Sequence, residues 1–356
     1  MAGGEGSRLR PLTCDLPKPM VPVMNRPVMT YSIELLKKYG INTIGVTLQY
    51  LPSIIQDYYG DGSDYGVKLH YFIEETPLGT AGSVKNAEKI LDETFIVISG
   101  DALANIDLKK AIEFHKNNNS LATLVLKRVE VPLEYGVVVT DKDYRITRFL
   151  EKPNWGEVFS DTVNTGIYIL EPEVLDYFEP GEKFDFSQDL FPMLLKDGKA
   201  MFGYVTDEYW CDIGDPGSYL QAHYDMMDGK VGINIKANLK AEKIWVGENT
   251  YIHPEAQIEG PCYIGNFNRI EKGAKILPYT VLGDYNFIDE GASIKRSILW
   301  SHNRVGKNAE IRAAVLCNKN ELKKGSRVFE GAVIGEGCQL SEGSTVKPCI
   351  KVWPGK

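Results

Sequence analysis

From Val246 onward an aliphatic residue returns at every sixth position: Ile252, Ile258, Ile264, Ile270, Ile276, Leu282, Ile288 and Ile294. After a break of phase, Val305 and Ile311 form a short run. Leu316, Leu322, Val328, Ile334, Leu340, Val346 and Val352 then form a second long one. Chance alternation does not hold a phase over so many hexads, and the period is that of a parallel β-helix built from hexapeptide repeats. One aliphatic side chain per hexad points inward, and stacked coils bury a continuous core that no single repeat could make. The break near 295–305 reads as a loop or an irregular coil.

The preceding part of the chain has a different rhythm. Pro27 can start a helix through "VMTYSIELLKKY" that stops at Gly40. "TIGVTL" (43–48) and "FIVISG" (95–100) are continuous apolar runs, as expected of strands covered on both faces. "TAGSVKNAEKIL" (80–91) reads as a helix capped by Thr80, and Asp107 caps "LKKAIEFHKNN". Such alternation implies an open, mainly parallel sheet with ligands at the carboxyl ends of its strands. A further helix begins at Pro216, and the boundary between an α/β domain (1–235) and a β-helix domain (236–356) falls near 235. A length of 356 residues also favours two domains.

The net charge of −8 argues against a protein that needs a basic face for duplex nucleic acid. No apolar run approaches the ~20 residues of a membrane span, and no signal peptide leads the chain. The six cysteines contain no C-x-x-C pair and read as reduced thiols of a cytoplasmic protein.

The chain opens on "MAGGEGSRLRPLTCDLPKP". The P-loop and dinucleotide glycine patterns are both absent from it. What remains is a loop (Gly3, Gly4, Gly6) whose backbone N–H groups can approach an anion, with Arg8 close by and Lys18 on a Pro-braced segment. Asp101 ends "FIVISGD" and Asp212 sits in "YWCDIGDPGSY". Either aspartate alone reads as a turn former or helix cap, whereas two together suit a hard, oxygen-seeking Mg²⁺ beside phosphate oxygens. Asp215 reads as a turn residue before Pro216.

Taken together, G-G-x-G-S-R-L-x-P-L-T…L-P-K-P, "GD", "FLEKP" (149–153), "NTGIYIL" (164–170) and "WCDIG" resemble the sugar-1-phosphate nucleotidyltransferases. The resemblance covers the whole chain, since many members carry a C-terminal left-handed β-helix. It implies a Rossmann-like nucleotidyltransferase domain followed by that helix. It implies that Ala2, Gly3, Gly4, Gly6 and Ser7 hold a nucleoside triphosphate, and that Arg8 and Lys18 stabilise its phosphates. Asp101 and Asp212 would ligate Mg²⁺. Lys152 would bind the phosphate of a sugar 1-phosphate, and Glu151, Asn164 and the Gly136 backbone its sugar. The sugar-phosphate oxygen would attack the α-phosphorus in line, and pyrophosphate would depart. The attacking group is already an anion, so no general base is required.

"EETPLGTAGSV" (74–84) most closely resembles the mannose-1-phosphate guanylyltransferases, where this segment lines the base pocket. In thymidylyltransferase relatives a glutamine stands five residues before the pocket glycine, and here that position is Glu74, ahead of Gly79 and Thr80. Guanine presents adjacent N1–H and N2–H₂ donors, which suit an acceptor-only carboxylate. Glu74 reads equally as the residue that ends a strand. The resemblance implies GTP and mannose 1-phosphate, giving GDP-mannose, as the substrates, and mannose rests on it alone because Glu151 and Asn164 could read several hexoses. Glucose 1-phosphate with UTP, dTTP or ATP is the alternative, and a non-catalytic sugar-nucleotide-binding regulator a second. His253 and His302 admit an acyltransferase reading of the β-helix but read as surface or turn residues.

The β-helix is expected to serve homo-oligomerisation and support. The family places a full apolar strand before the first Ala-Gly-Gly, whereas only Met1 and Ala2 precede it here. The expectation is a start downstream of the true one, or a truncated first strand. The repeats also run to within four residues of Lys356 without an evident cap, so a further C-terminal domain or a covering partner is expected.

Overall fold

In a computed structural model the structure describes residues 1–151, 154, 156 and 160–356. Two short strands, β1 (Pro22–Val23) and β2 (Arg26–Pro27), lead into helix α1 (Val28–Lys38). As the sequence suggests, α1 ends on Gly40 (φ 82°), where the Gly40 and Ile41 N–H groups close back on Lys37 and Leu36. The chain continues through β3 (Thr43–Leu48), α2 (Pro52–Tyr59), β4 (Lys68–Ile73), α3 (Gly79–Lys85), β5 (Phe95–Ile98) and β6 (Ala102–Ala104). There follow α4 (Leu108–Asn117), β7 (Ala122–Arg128), β8 (Gly136–Thr140), β9 (Ile146–Glu151) and β10 (Thr162–Leu170). Then come α5 (Phe191–Lys196), β11 (Met201–Thr206), β12 (Trp210–Asp212) and α6 (Pro216–Asp228).

Contacts divide the chain into two units, Met1–Gly4 with Met29–Asp212, and Glu5–Val28 with Ile213–Lys356. In the first, β3 and β4 run parallel, as do β7 and β11. The longest strand, β10, lies antiparallel between β7 and β8 and also pairs with β5. The middle of β7 is buried on both faces. Leu124 and Leu126 pack with Tyr168, Phe186 and Phe191, while Val125 packs with Ile106, Leu108 and Ile167. Asp107 caps α4 by accepting the Lys110 N–H, as the sequence predicts. The helix expected over 80–91 is shorter: α3 ends at Lys85, and a 3₁₀ turn takes Glu88–Ile90. Thr80 does not cap it, because its hydroxyl is bound elsewhere.

Met1 and Ala2 sit between the edges of β3 and β5. The Met1 amine donates to Ile98 O (2.8 Å), Gly100 N–H to Met1 O (2.8 Å), and Ala2 N–H to Thr47 O (3.0 Å). Behind them lies an apolar cavity of about 460 Å³, lined by Ile44, Val46, Val84, Ile96, Ile98 and Ile169 among others.

In the second unit, α6 carries the capping box that the sequence places at Asp215, whose carboxylate accepts from the Gly217 and Ser218 N–H groups. From Ile244 to Val352 the chain winds about six turns of parallel β-helix, its strands stacked in three sheets. Every predicted hexad residue joins one core, fully buried in the middle coils and half-buried at Ile252, Ile258, Val346 and Val352. The break of phase is neither a loop nor an irregular coil. Leu282 pairs with Leu299, and Leu299 with Leu316, so two successive coils have 17 residues where Ile264↔Leu282 and Leu316↔Ile334 mark 18. One residue is missing from the same corner of each, at Arg296 (φ 53°) and Ala313 (φ 42°). An asparagine ladder lines another corner from inside. Asn268, Asn286, Asn303 and Asn320 are buried, and the side-chain oxygen of each accepts the backbone N–H at the equivalent position one coil on.

All six cysteines are free thiols. Among the described residues no helix is long and apolar enough to cross a membrane.

Candidate active site

The opening loop divides between the units: Ala2, Gly3 and Gly4 lie in the first, Gly6, Ser7, Arg8 and Lys18 in the second. Gly6 adopts φ 61°, and a Cβ there would come within 2.9 Å of the Lys18 Cβ and 3.1 Å of Thr13 Cγ2. Only glycine allows both that backbone and that approach. The Thr13 hydroxyl donates to Gly6 O (2.8 Å), closing the loop. Ser7–Leu9 forms a 3₁₀ turn anchored by buried Leu9, which leaves the Ser7 and Arg8 side chains exposed. Lys18, twelve residues after Gly6, folds back against it and is only 8% exposed. The loop thus sets backbone N–H groups and the buried Lys18 charge close together, donors of the kind an anion needs.

In the first unit, strand pairing brings the Asp212 backbone beside the residue that follows Asp101. Asp101 leaves the end of β5 just before β6, and β12 runs antiparallel to β6 with Asp212 opposite Ala102. Both are half-buried, and the Ser99 hydroxyl donates to the Asp101 carboxylate. Trp210, two residues before Asp212, fixes the segment through an indole N–H to Thr165 O hydrogen bond (3.0 Å). Among the described residues no group of three or more His, Cys, Asp or Glu side chains is arranged to hold a metal. Two carboxylates without soft or nitrogen ligands fit Mg²⁺, which keeps its waters and takes only one or two protein carboxylates beside phosphate.

Glu74 follows β4, is buried, and accepts the Leu78 N–H at Oε2 (3.1 Å). Its Oε1 lies beside Gly3, 3.7 Å from where a Cβ on that residue would stand. The turn after it is pressed onto a distant segment. Gly79 has φ 73°, and a Cβ there would meet Phe184 O at 2.5 Å. The Thr80 hydroxyl donates to Asp185 Oδ2 (2.8 Å) and accepts the Phe186 N–H (2.9 Å). Thr80 is therefore tied within the protein.

The β8–β9–β10 arrangement gathers the expected sugar-side residues. Gly136 pairs with Glu151, and Val137 with Val163 beside Asn164. A Cβ on Gly136 would lie 2.9 Å from Glu151 Oε2 and 2.7 Å from the Phe149 ring. Asn164 is held by its own backbone turn, its Oδ1 accepting the Gly166 N–H, while Nδ2 donates to the Tyr168 hydroxyl (2.9 Å). Burial pushes the Tyr168 phenol well above its ordinary pKa, so it remains neutral and able to donate. Lys152 lies outside the described residues.

Sequence reasoning missed Tyr168, Asp185 and Ser187. The "DFS" of 185–187 carries an N-cap signal, since the Asp185 Oδ1 accepts the Ser187 and Gln188 N–H groups, but nothing in it pointed to Thr80. The two β-helix histidines are surface features. His253 Nδ1 accepts the Glu255 N–H, and the His302 ring stacks 4.9 Å from Tyr285.

Residues 1–229 match the family described as Nucleotidyl transferase, and residues 258–356 that described as GMPPB C-terminal domain. The UTP–glucose-1-phosphate uridylyltransferase of Synechocystis sp. is 36% identical over 322 residues, covering 86% of this chain and 83% of that protein. The mannose-1-phosphate guanylyltransferase of Mycobacterium tuberculosis is 33% identical over 298 residues (83% and 82%). A mannose-1-phosphate guanyltransferase of Debaryomyces hansenii is 35% identical over 264 residues (72% of each). A Bacillus anthracis protein of glucose-1-phosphate thymidylyltransferase type, solved with a sucrose, aligns with TM-score 0.58 and 24% identity. It covers 68% of this chain and 96% of its own, a likeness of fold alone.

Proposed function

The chain belongs to the nucleotidyl transferase family, and from that premise we propose that it transfers the guanylyl group of GTP to mannose 1-phosphate, yielding GDP-mannose and pyrophosphate. The relatives named for that activity and the match over 258–356 support the choice of substrates. The observation that carries the choice of base is Glu74, a buried carboxylate at a strand end whose Oε1 lies beside Gly3. An acceptor-only group there complements both the N1–H and the N2–H₂ of guanine, whereas on the mixed donor–acceptor edge of uracil or thymine it can accept only the N3–H and faces carbonyl oxygens beside it.

A sugar-phosphate oxygen forms a bond to the α-phosphorus while the bond from that phosphorus to the β-phosphate oxygen breaks. Arg8 and Lys18 neutralise the triphosphate, the loop amides of Gly3, Gly4, Gly6 and Ser7 orient it, and Lys152 receives the sugar phosphate. Glu151, Asn164 and the Gly136 backbone position the hexose. Asp101 and Asp212 are the residues to hold Mg²⁺, which when bound supplies positive charge against the phosphate oxygens. No proton need leave the nucleophile, so the site requires no general base.

The Synechocystis relative supports a second reading, UTP with glucose 1-phosphate. Pyrophosphate release across a grid of nucleoside triphosphates and sugar 1-phosphates, with Mg²⁺ present, separates the two. The GTP–mannose 1-phosphate pair should give the highest kcat/KM, and Glu74→Gln should lower the preference for GTP over UTP about tenfold or more. An unchanged preference would remove Glu74 as the base reader, and no turnover with any pair would leave a regulatory homologue. The β-helix we assign to homo-oligomerisation, which light scattering at micromolar concentration tests directly.

A further inference from the structure

We propose that Asp185 is a positioning residue that couples the turn beside the base-reading Glu74 to the side chains that face the sugar. The proposal rests on the functional reading above.

The coupling is a continuous set of hydrogen bonds within the first unit. Leu78 donates its N–H to Glu74 Oε2 and accepts the Phe184 N–H on its carbonyl (2.8 Å). The Ala81 and Gly82 N–H groups both return to Phe184 O (3.0 Å each). Asp185 then takes the Thr80 hydroxyl on Oδ2 and the Ser187 and Gln188 N–H groups on Oδ1 (2.8 and 3.1 Å). Its own N–H is held by Asp189 Oδ2 (2.8 Å). Ser187 Oγ lies 3.5 Å from Asn164 Nδ2, the amide that also donates to the Tyr168 hydroxyl.

The chemistry of this carboxylate is unusual for a plain helix cap. A cap needs one acceptor oxygen, and Oδ1 fulfils that alone. The second oxygen reaches 105 positions back to the first turn of another helix, to a hydroxyl whose one proton it takes. Charge-assisted bonds of this kind are short and directional, so a shift of the turn over Glu74 is passed to the 185–188 segment and on to Asn164. Thr80 is thus a positioning residue too, acting on the turn and not on the nucleotide.

The two oxygens allow the link to be cut without removing the cap. In Asp185→Asn the Oδ1 acceptor survives, while the new amide can no longer accept the Thr80 hydroxyl proton and offers only a neutral N–H in its place, so the charge-assisted bond is lost. Thr80→Val removes that bond from the other side, together with the acceptor of the Phe186 N–H, at nearly constant shape, and Thr80→Ser retains both. KM and kcat are measured for both substrates, using whichever nucleotide and sugar 1-phosphate the wild type turns over best. An error in base or sugar therefore leaves the test standing. Asp185→Asn and Thr80→Val should each raise KM for both nucleotide and sugar phosphate by about tenfold, the worth of one charge-assisted hydrogen bond. The double variant should be no worse than Thr80→Val alone, Thr80→Ser should be near wild type, and Ser187→Ala should raise the sugar-phosphate KM alone, by about threefold. The proposal is overturned if Thr80→Val moves only the nucleotide KM, if the single effects add in the double variant, or if kcat falls with both KM values unchanged. Absence of wild-type turnover with every pair would defeat the functional reading, and this coupling with it.

Discussion

His223 shows what a single side chain contributes that its neighbourhood in sequence conceals. It sits fully buried in α6, its Nδ1 accepting the Met24 N–H (3.4 Å) and its ring edge-on to Tyr219. Burial lowers its pKa to about 3. The unfolded chain, with a histidine near 6.5, therefore holds a proton that the folded chain refuses between those two values. Its contribution to stability is complete above pH 6.5 and is lost as pH falls toward 3, with a slope approaching about 1.4 kcal/mol per pH unit. Denaturant melts between pH 4 and 7 should show that slope shrink in His223→Gln, and an unchanged slope would mean that other groups carry the acid limb. Nothing in "LQAHYDMM" marks this ring as neutral, because burial of one helix face is decided by partners 199 residues away. Asp101 and Asp212 were visible as strand-end carboxylates, each of which alone has an ordinary structural use as a turn former or cap. The pairing that sets Asp212 opposite the residue after Asp101 was not, since it depends on β12 meeting β6 across more than 100 positions.

Among the elements, the β-helix was almost completely readable, because one inward aliphatic per hexad is a strong period over a weak background. The phase break was misread since stepping by six from Ile294 passes over Leu299. Counting by whole coils recovers it, and the two five-residue steps fall at one corner. The asparagine ladder was visible in principle, as Asn268, Asn286, Asn303 and Asn320 each stand two residues before a core aliphatic. Asn303→Ala should leave the buried Asn320 N–H without its acceptor and cost about 2–3 kcal/mol, a group that water cannot reach. Thermal melts should show the loss, and a melt within error of wild type would mean that the corner relaxes to find other partners. The α3 segment failed as a prediction because Thr80 has a stronger offer from Asp185 than from the end of its own helix.

At the level of the whole molecule, the chain's first residues are shared out. Residues 5–28 pack with the chain from Ile213 onward: Tyr219 donates to Pro22 O (2.6 Å), Trp300 to the Tyr219 hydroxyl (2.9 Å), and Lys351 to Arg8 O (3.3 Å). Pro11 and Leu12 lie against Trp300 and Cys317. A fragment ending at residue 235 therefore strips the anion loop of its support. It should be poorly soluble and fail to bind nucleotide by calorimetry, while 1–356 binds it. A soluble, binding-competent 1–235 would show that the loop holds itself. The apolar pocket between β3 and β5, partly open to solvent, has a different consequence. Water held against Ile44, Val46, Ile96 and Ile98 finds few polar partners, so a small apolar solute should displace it. An environment-sensitive hydrophobic dye should brighten on the native protein before any unfolding, and brightening that begins only in denaturant would mean that the pocket admits no such solute.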